Sequence, residues 1–121
     1  MANNLLGRWG EAQAAAYLRN KGYTIVAANY RCRMGEIDLV AQKSHVIIFV
    51  EVKLRKNSDF AEALEHVDRR KQERIKIAAN LYLSENDFMD ANVRFDVIEI
   101  YAPQGTQTKK LEIHHLEDAF Q

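Results

Sequence analysis

The chain has 121 residues, is 47% hydrophobic, and balances 17 basic against 17 acidic side chains for a net charge of zero. That length and composition fit one domain, spanning 1–121, with one sizeable core. No run approaches the ~20 apolar residues that cross a bilayer, and the first residues lack the basic-then-apolar pattern of a signal peptide. The single cysteine, Cys32, excludes an internal disulfide and a cysteine-clustered zinc site, so a cytoplasmic protein is the expectation.

Asn3 or Asn4 can cap a first helix that runs to about Asn20, with Gly22 as its stop. Leu5, Trp9, Ala12 and Ala16 form one stripe on it, and Gly7, Glu11, Ala14, Ala15 and Leu18 another. A glycine inside a helix costs roughly 1 kcal/mol relative to alanine. The small residues around Glu11 therefore predict a close approach to a neighbouring element. A β-favouring run, Tyr23 to Tyr30, leads to a turn around Arg31 to Met34.

Two further strands are predicted at about 35–42 and 45–54, joined by a tight turn at Lys43-Ser44. With that turn, opposing positions sum to 87, so Glu36 faces Glu51 and Asp38 faces Phe49. Glu36, Asp38, Glu51 and Lys53 then share one side, and Ile37, Leu39, Ile48, Val50 and Val52 the other. Asp38 and Glu51 become diagonal neighbours roughly 5–8 Å apart, close enough to bridge one cation. Acids and a lysine in otherwise apolar strands need a partner, because an unpaired buried charge costs several kcal/mol. Two carboxylates to hold a hard cation and an ammonium to orient water are also what metal-assisted phosphodiester cleavage requires. A cross-strand salt bridge, worth about 1 kcal/mol or less if exposed, is the plainer alternative.

Residues 55–67 read as a polar loop with one helical turn at most. Asp68 can cap a second helix to about Leu83, with Ile75, Ala78, Ala79 and Tyr82 inward. Arg69, Arg70, Lys71, Arg74 and Lys76 crowd its first half, where positive charge opposes the helix dipole and suits a bound polyanion. Asn92 to Tyr101 reads as a strand, Pro103 to Lys109 as a loop, and Leu111 to Leu116 as a final edge strand. The order predicts an α/β layer with a three-strand antiparallel meander. The second helix then crosses over to a parallel fourth strand. Residues 1–76 hold 14 basic against 9 acidic side chains, +5, and residues 77–121 hold 3 against 8, −5. Such asymmetry points to a face for nucleic acid, with ordinary solvated charge as the alternative.

Five segments together carry a resemblance. They are Gly10-Glu11, Gly35-Glu36-Ile37-Asp38-Leu39, Val50-Glu51-Val52-Lys53, Val67-Asp68-Arg69-Arg70-Lys71-Gln72 and Arg94-Phe95-Asp96-Val97. In that order they resemble the PD-(D/E)XK nuclease superfamily, and nearly the whole chain is similar to the bacterial YraN family within it. Ile37 stands where the superfamily's name places a proline. The resemblance implies a restriction-endonuclease-like core: α-β-β-β-α-β plus a C-terminal strand, a mixed central sheet flanked by helices. The nearest functional relatives it implies are archaeal-type Holliday-junction resolvases, small dimeric Mg²⁺-dependent endonucleases.

Asp38 then matches the first strand carboxylate, Glu51 the acid of the (D/E)XK element, Lys53 its lysine, and Glu11 the helix glutamate of the resolvase branch. The implied ligands of Mg²⁺ or Mn²⁺ are Asp38, Glu51, the Val52 carbonyl and Glu11, with Lys53 placing the attacking water. Nucleic acid, DNA by the resemblance, would meet Arg31, Arg33, Arg55, Arg69, Arg70, Lys71, Gln72 and Arg74.

Glu36 is open to three readings: a tuning group, a second-metal ligand, or a partner of Arg31 or Arg33. Asp96 is expected to pair with Arg94, and His114 and His115 to be surface residues on opposite faces. Two functions of different class follow: a divalent-metal-dependent endonuclease, or a nucleic-acid-binding or protein-interaction module that retains the nuclease fold without turnover. A homodimer is implied by the resolvases, with the edge strand and Ala119-Phe120 as candidate contacts.

Overall fold

The structure, a computed structural model, describes residues 4–56 and 67–121. Helix α1 (Asn4–Asn20) leads into β1 (Thr24–Cys32), β2 (Gly35–Lys43) and β3 (Val46–Arg55); α2 (Arg69–Glu85), β4 (Asn92–Tyr101) and β5 (Glu112–Phe120) follow, with a 3-10 turn at Gly105–Gln107 before β5. The five strands form one sheet in chain order. β1 to β3 meander antiparallel, α2 carries the chain over to β4 parallel to β3, and β5 returns antiparallel. This is the expected α/β architecture of a restriction-endonuclease-like core. Most of the polar loop expected at 55–67 lies outside the described residues.

The central strands are mostly apolar on both sides because both sheet faces are covered. Alternation divides β3 between them. Ile47 and Phe49 pack with Ile75, Ala78, Ala79 and Tyr82 of α2, while Ile48 and Val50 pack with Ala14, Ala15 and Leu18 of α1. Each fully buried Ile, Val, Leu or Phe among them contributes about 1.5–3 kcal/mol, so the two layers fix the sheet between the helices. The second stripe predicted on α1 is the buried one. Leu5 of the first is 73% exposed, Ala12 and Ala16 are exposed, and only Trp9 joins the core.

α1 ends as its sequence predicts. Gly22 (φ 92) donates its N–H to the Arg19 carbonyl and Tyr23 to that of Leu18, both at 3.0 Å, closing the helix with a left-handed residue. Asp68 caps α2 by accepting from the Lys71 N–H at 2.8 Å. β5 runs four residues beyond the predicted Leu116. Its last residue, Phe120, stacks on Phe95 with ring centroids 5.1 Å apart, so this aromatic is used inside the chain.

The hairpin register differs from the expected one. Both Ser44 (φ 51) and His45 (φ 68) are left-handed, the pattern of a two-residue type I′ turn, and Lys43 stays in β2. The Lys43 ammonium explains this: it donates to the Lys21 carbonyl at 2.8 Å and lies 4.8 Å above the Tyr23 ring. Opposing positions therefore sum to 89, as in Leu39 with Val50 and Lys43 with Val46. A two-residue shift preserves the alternation, but it carries Asp38 from diagonal to directly opposite Glu51.

Candidate active site

The pairing of β2 with β3 runs from the turn to Leu39 and Val50 and stops there. β2 remains paired to β1 as far as Cys32 and Gly35, and β3 to β4 as far as Arg55 and Tyr101. The two central strands thus part beyond Leu39, and Asp38 sits at the mouth of the gap. Its Oδ2 accepts the Val52 N–H at 2.8 Å, in the place of a ladder bond. In the gap the regular alternation of β2 gives way. Ile37 packs on the α2 side, and Glu36 turns toward α1, where it pairs with Arg31 at 3.3 Å. Of the three readings of Glu36, partner of Arg31 is the geometry observed.

Glu51 projects toward α2. It is 7% exposed, and its Oε2 lies 3.5 Å from Lys53 Nζ and 2.5 Å from Lys71 Nζ. On the α1 side stands Glu11, held there by the glycine before it. A Cβ built on Gly10 would collide with Leu54 Cδ1, so α1 meets β3 as closely as the small residues predict. Gly7, with nothing within 4 Å of such a Cβ, lines a cleft with Arg8, Glu11, Asn29, Arg31 and Glu36. Glu11 Oε1 is buried with no hydrogen-bond partner among the described residues.

These placements set the ionisation of the acids. Burial, and then the charges of Glu51, Glu11 and Glu36, push Asp38 up to about 8, against the pull of the Val52 N–H. Burial also raises Glu11, against hydrogen bonds with Asn29 and Asp38. Both acids are thus held above the ordinary carboxylate range. Lys53 is lowered by burial and by Lys71 beside it. Lys71 is raised, since its contacts with Glu51 outweigh the cost of burial.

Among the described residues, no group of three or more His, Cys, Asp or Glu is already arranged to hold a metal. The donors nevertheless fit a hard divalent cation. They are carboxylate oxygens, one of them orphaned, on acids whose ionisation burial and neighbouring negative charge oppose. Lys53 and Lys71 pair directly with Glu51.

The other sequence-predicted residues divide. Arg33, Arg69, Arg70 and Arg74 are exposed, as a docking face needs. The Arg74 backbone abuts Gly35, where an added Cβ would come 3.3 Å from the Arg74 carbonyl oxygen, and this brings α2 against the start of β2. Gln72 donates to the Val67 carbonyl at 2.8 Å, bracing the entry to α2. Arg55 lies 3.4 Å from the buried Glu99, and Lys71 belongs to the acid site.

Asn29 beside Glu11 escaped the sequence reading. Its one signal is a left-handed backbone, φ 55, which Asn tolerates best after Gly. His115 also differs from expectation: its side chain is 5% exposed, and Nε2–H donates to Asp96 at 2.7 Å. Arg94 grips the same carboxylate at 2.9 Å through both Nε and Nη2, as its position suggested.

A five-stranded mixed sheet between two helices, with acids and lysines where the central strands part, defines a restriction-endonuclease-like α/β protein. Residues 10–100 match the profile of the uncharacterised protein family UPF0102, also called YraN, and the chain belongs to that family. It is 41% identical over 119 residues to a UPF0102 protein of Pelotomaculum thermopropionicum, covering 98% of each chain. To one of Alkaliphilus oremlandii it is 43% identical over 120 residues, 98% of this chain and 99% of the relative. To one of Dictyoglomus thermophilum it is 39% identical over 120 residues, 99% and 100%. Glu11, Asp38, Glu51, Lys53 and Lys71 all fall within the matched segment. No described helix is long and apolar enough to cross a membrane.

Proposed function

We propose that this protein binds nucleic acid, DNA in the first instance, and hydrolyses its phosphodiester bonds with Mg²⁺ or Mn²⁺. The observation that carries the reading is Asp38 at the parting of β2 and β3, with Glu11 of α1 near it and Glu51, paired with Lys53, opposite it on β3. Asp38, Glu51 and Glu11, with the Val52 carbonyl, would hold the cation. Bound there, it would polarise a phosphodiester oxygen and lower the pKa of water.

The protein's own groups have separate tasks. Val52 N–H fixes the Asp38 carboxylate in the gap. Lys53, half-buried and lowered in pKa, would orient the attacking water and offset charge on the phosphate. Arg33, Arg69, Arg70 and Arg74 would bind the backbone on either side. Cutting two strands symmetrically needs two sites about a twofold axis, so a homodimer is part of the proposal. Phe120, stacked within the chain, is not available to such an interface. A cytoplasmic setting, where nucleic acid is present, completes it.

A second reading has its own support. Two ammonium groups already neutralise Glu51 and no ligand cluster is closed among the described residues, as in a binding module that has lost turnover. A panel of branched, single-stranded and duplex DNA, and of RNA, incubated with and without Mn²⁺, separates the two. Strand breaks that need Mn²⁺ and vanish in Asp38→Asn are the expected result; binding without breaks in any substrate would leave the binding module.

A further inference from the structure

The basic residues that open α2 do not act alike. Arg69 and Arg70 are exposed, whereas the Lys71 ammonium turns inward onto Glu51 Oε2. Lys53 reaches the same oxygen from β3. Two like charges share one carboxylate oxygen, and their mutual repulsion favours the release of either when another cation takes its place.

The two lysines differ in freedom. Lys53 is a strand residue two positions beyond Glu51, with its side chain 24% exposed. Lys71 lies in the first turn of a helix, and its side chain is 42% exposed. It can swing away from Glu51 on its four-carbon stem without disturbing the Asp68 cap, which engages only its main chain.

We propose that Lys71 is a tethered counter-ion of the cation site. It neutralises Glu51 when no divalent cation is bound, yields the carboxylate when one enters, and turns its charge outward to the nucleic-acid phosphates. The inference rests on the metal-dependent reading above. Its consequence is competition: a cation reaching Glu51 must displace an ammonium, so the site binds more weakly than its carboxylates alone would allow. Glu51 is paired in both states, and Lys71 is charged in both.

Calorimetric titration of the full-length chain with Mn²⁺ tests this in wild type, Lys71→Met, Lys71→Gln and Lys71→Arg, each with and without Asp38→Asn, after thermal melts show the variants folded. Removing one competing charge-assisted hydrogen bond corresponds to about a tenfold gain in Mn²⁺ affinity for Met and Gln. Arg, which keeps the charge, gives no gain. If Met and Gln bind Mn²⁺ no tighter than wild type while Asp38→Asn still abolishes binding, the tethered counter-ion is wrong and the metal site stands. A gain in Arg equal to that in Met also overturns it, because charge is then not the cause. If Asp38→Asn changes nothing in any background, the metal reading itself fails and takes this inference with it.

Discussion

The main-chain N–H of Val52 donates to Asp38 Oδ2 at 2.8 Å, so a side chain of β2 completes the hydrogen bonding of β3 where the two strands part. That bond holds the acid in place even when it is uncharged. Burial and three neighbouring acids place the Asp38 carboxyl at about 8, against 3.8 for the free group. A cation binds the ionised form, so at pH 7 its binding must expel a proton. Affinity for Mn²⁺ is expected to rise about tenfold per pH unit below 8 and to level off above it. Calorimetry in buffers of different ionisation enthalpy would count the proton, and a pH-independent affinity would refute the assignment. The metal-free fold should show the converse. From about pH 4 to 8 it binds a proton that the unfolded chain does not, so this group's contribution to stability falls as pH rises. Asp38→Asn should flatten that decline.

Lys53 is separable from the ligands. Lys53→Ala leaves the carboxylates and the Val52 bond intact, so Mn²⁺ should still bind, and no more weakly than in wild type. If the ammonium orients water or faces developing charge, cleavage should fall about 10²–10³-fold, the scale seen for loss of one positioned electrostatic donor. Single-turnover assays at saturating Mn²⁺ would measure it. Undiminished cleavage would remove Lys53 from the mechanism.

The sequence revealed the elements and the acids more clearly than it revealed their contacts. The apolar run in 46–54 and the 75, 78, 79, 82 spacing on α2 are local patterns, and burial follows them directly. The turn was less legible because Lys43, Ser44 and His45 offer two polar pairs. The choice rests on Lys43 reaching Lys21 and Tyr23, contacts that exist only once α1 and β1 are placed. Glu36 and Ile37 escaped the period-two reading because the strands separate there, and separation leaves no mark in a strand's own residues. Lys71 looked like its exposed neighbours in composition, and only the position of α2 against the sheet directs it onto Glu51. His115 appeared as one of two adjacent histidines, and its partner Asp96 lies on another strand.

The arginines of α2 provide the test of the docking face. Lys71 is excluded from it, since its removal would alter the acid site as well. Arg69→Ala, Arg70→Ala and Arg74→Ala together should lower affinity for all sequences alike. They should also flatten the slope of log K against log salt by up to about 0.9 for each phosphate that is no longer neutralised. Anisotropy across a salt series would show it. An unchanged slope would mean that these charges only face water.

The last prediction concerns stability away from the acids. Asp96 is fully buried and accepts from Arg94, from His115 and from the Asp118 N–H at 3.0 Å; the Tyr17 hydroxyl lies 3.2 Å from the other nitrogen of His115. The network ties β5 to β4 and reaches α1. Against the cost of burial, the bonds from His115 and Arg94 hold the Asp96 carboxyl below its ordinary value of 3.8. Asp96→Asn keeps the shape but cannot satisfy all these donors and leaves Arg94 only the exposed Glu117, at 3.6 Å, as a counter-charge. Breaking such a pair costs roughly 3–5 kcal/mol when both partners are fully buried, so a loss of about 2–4 is expected with Arg94 partly exposed. Urea unfolding at pH 7 would measure it. The sign with pH follows from the lowered value. The stabilisation is complete above about pH 4 and disappears as pH falls through the folded-state pKa, so wild type and Asp96→Asn should converge in acid. A deficit that stays constant down to pH 2 would show that charge is not what the network contributes.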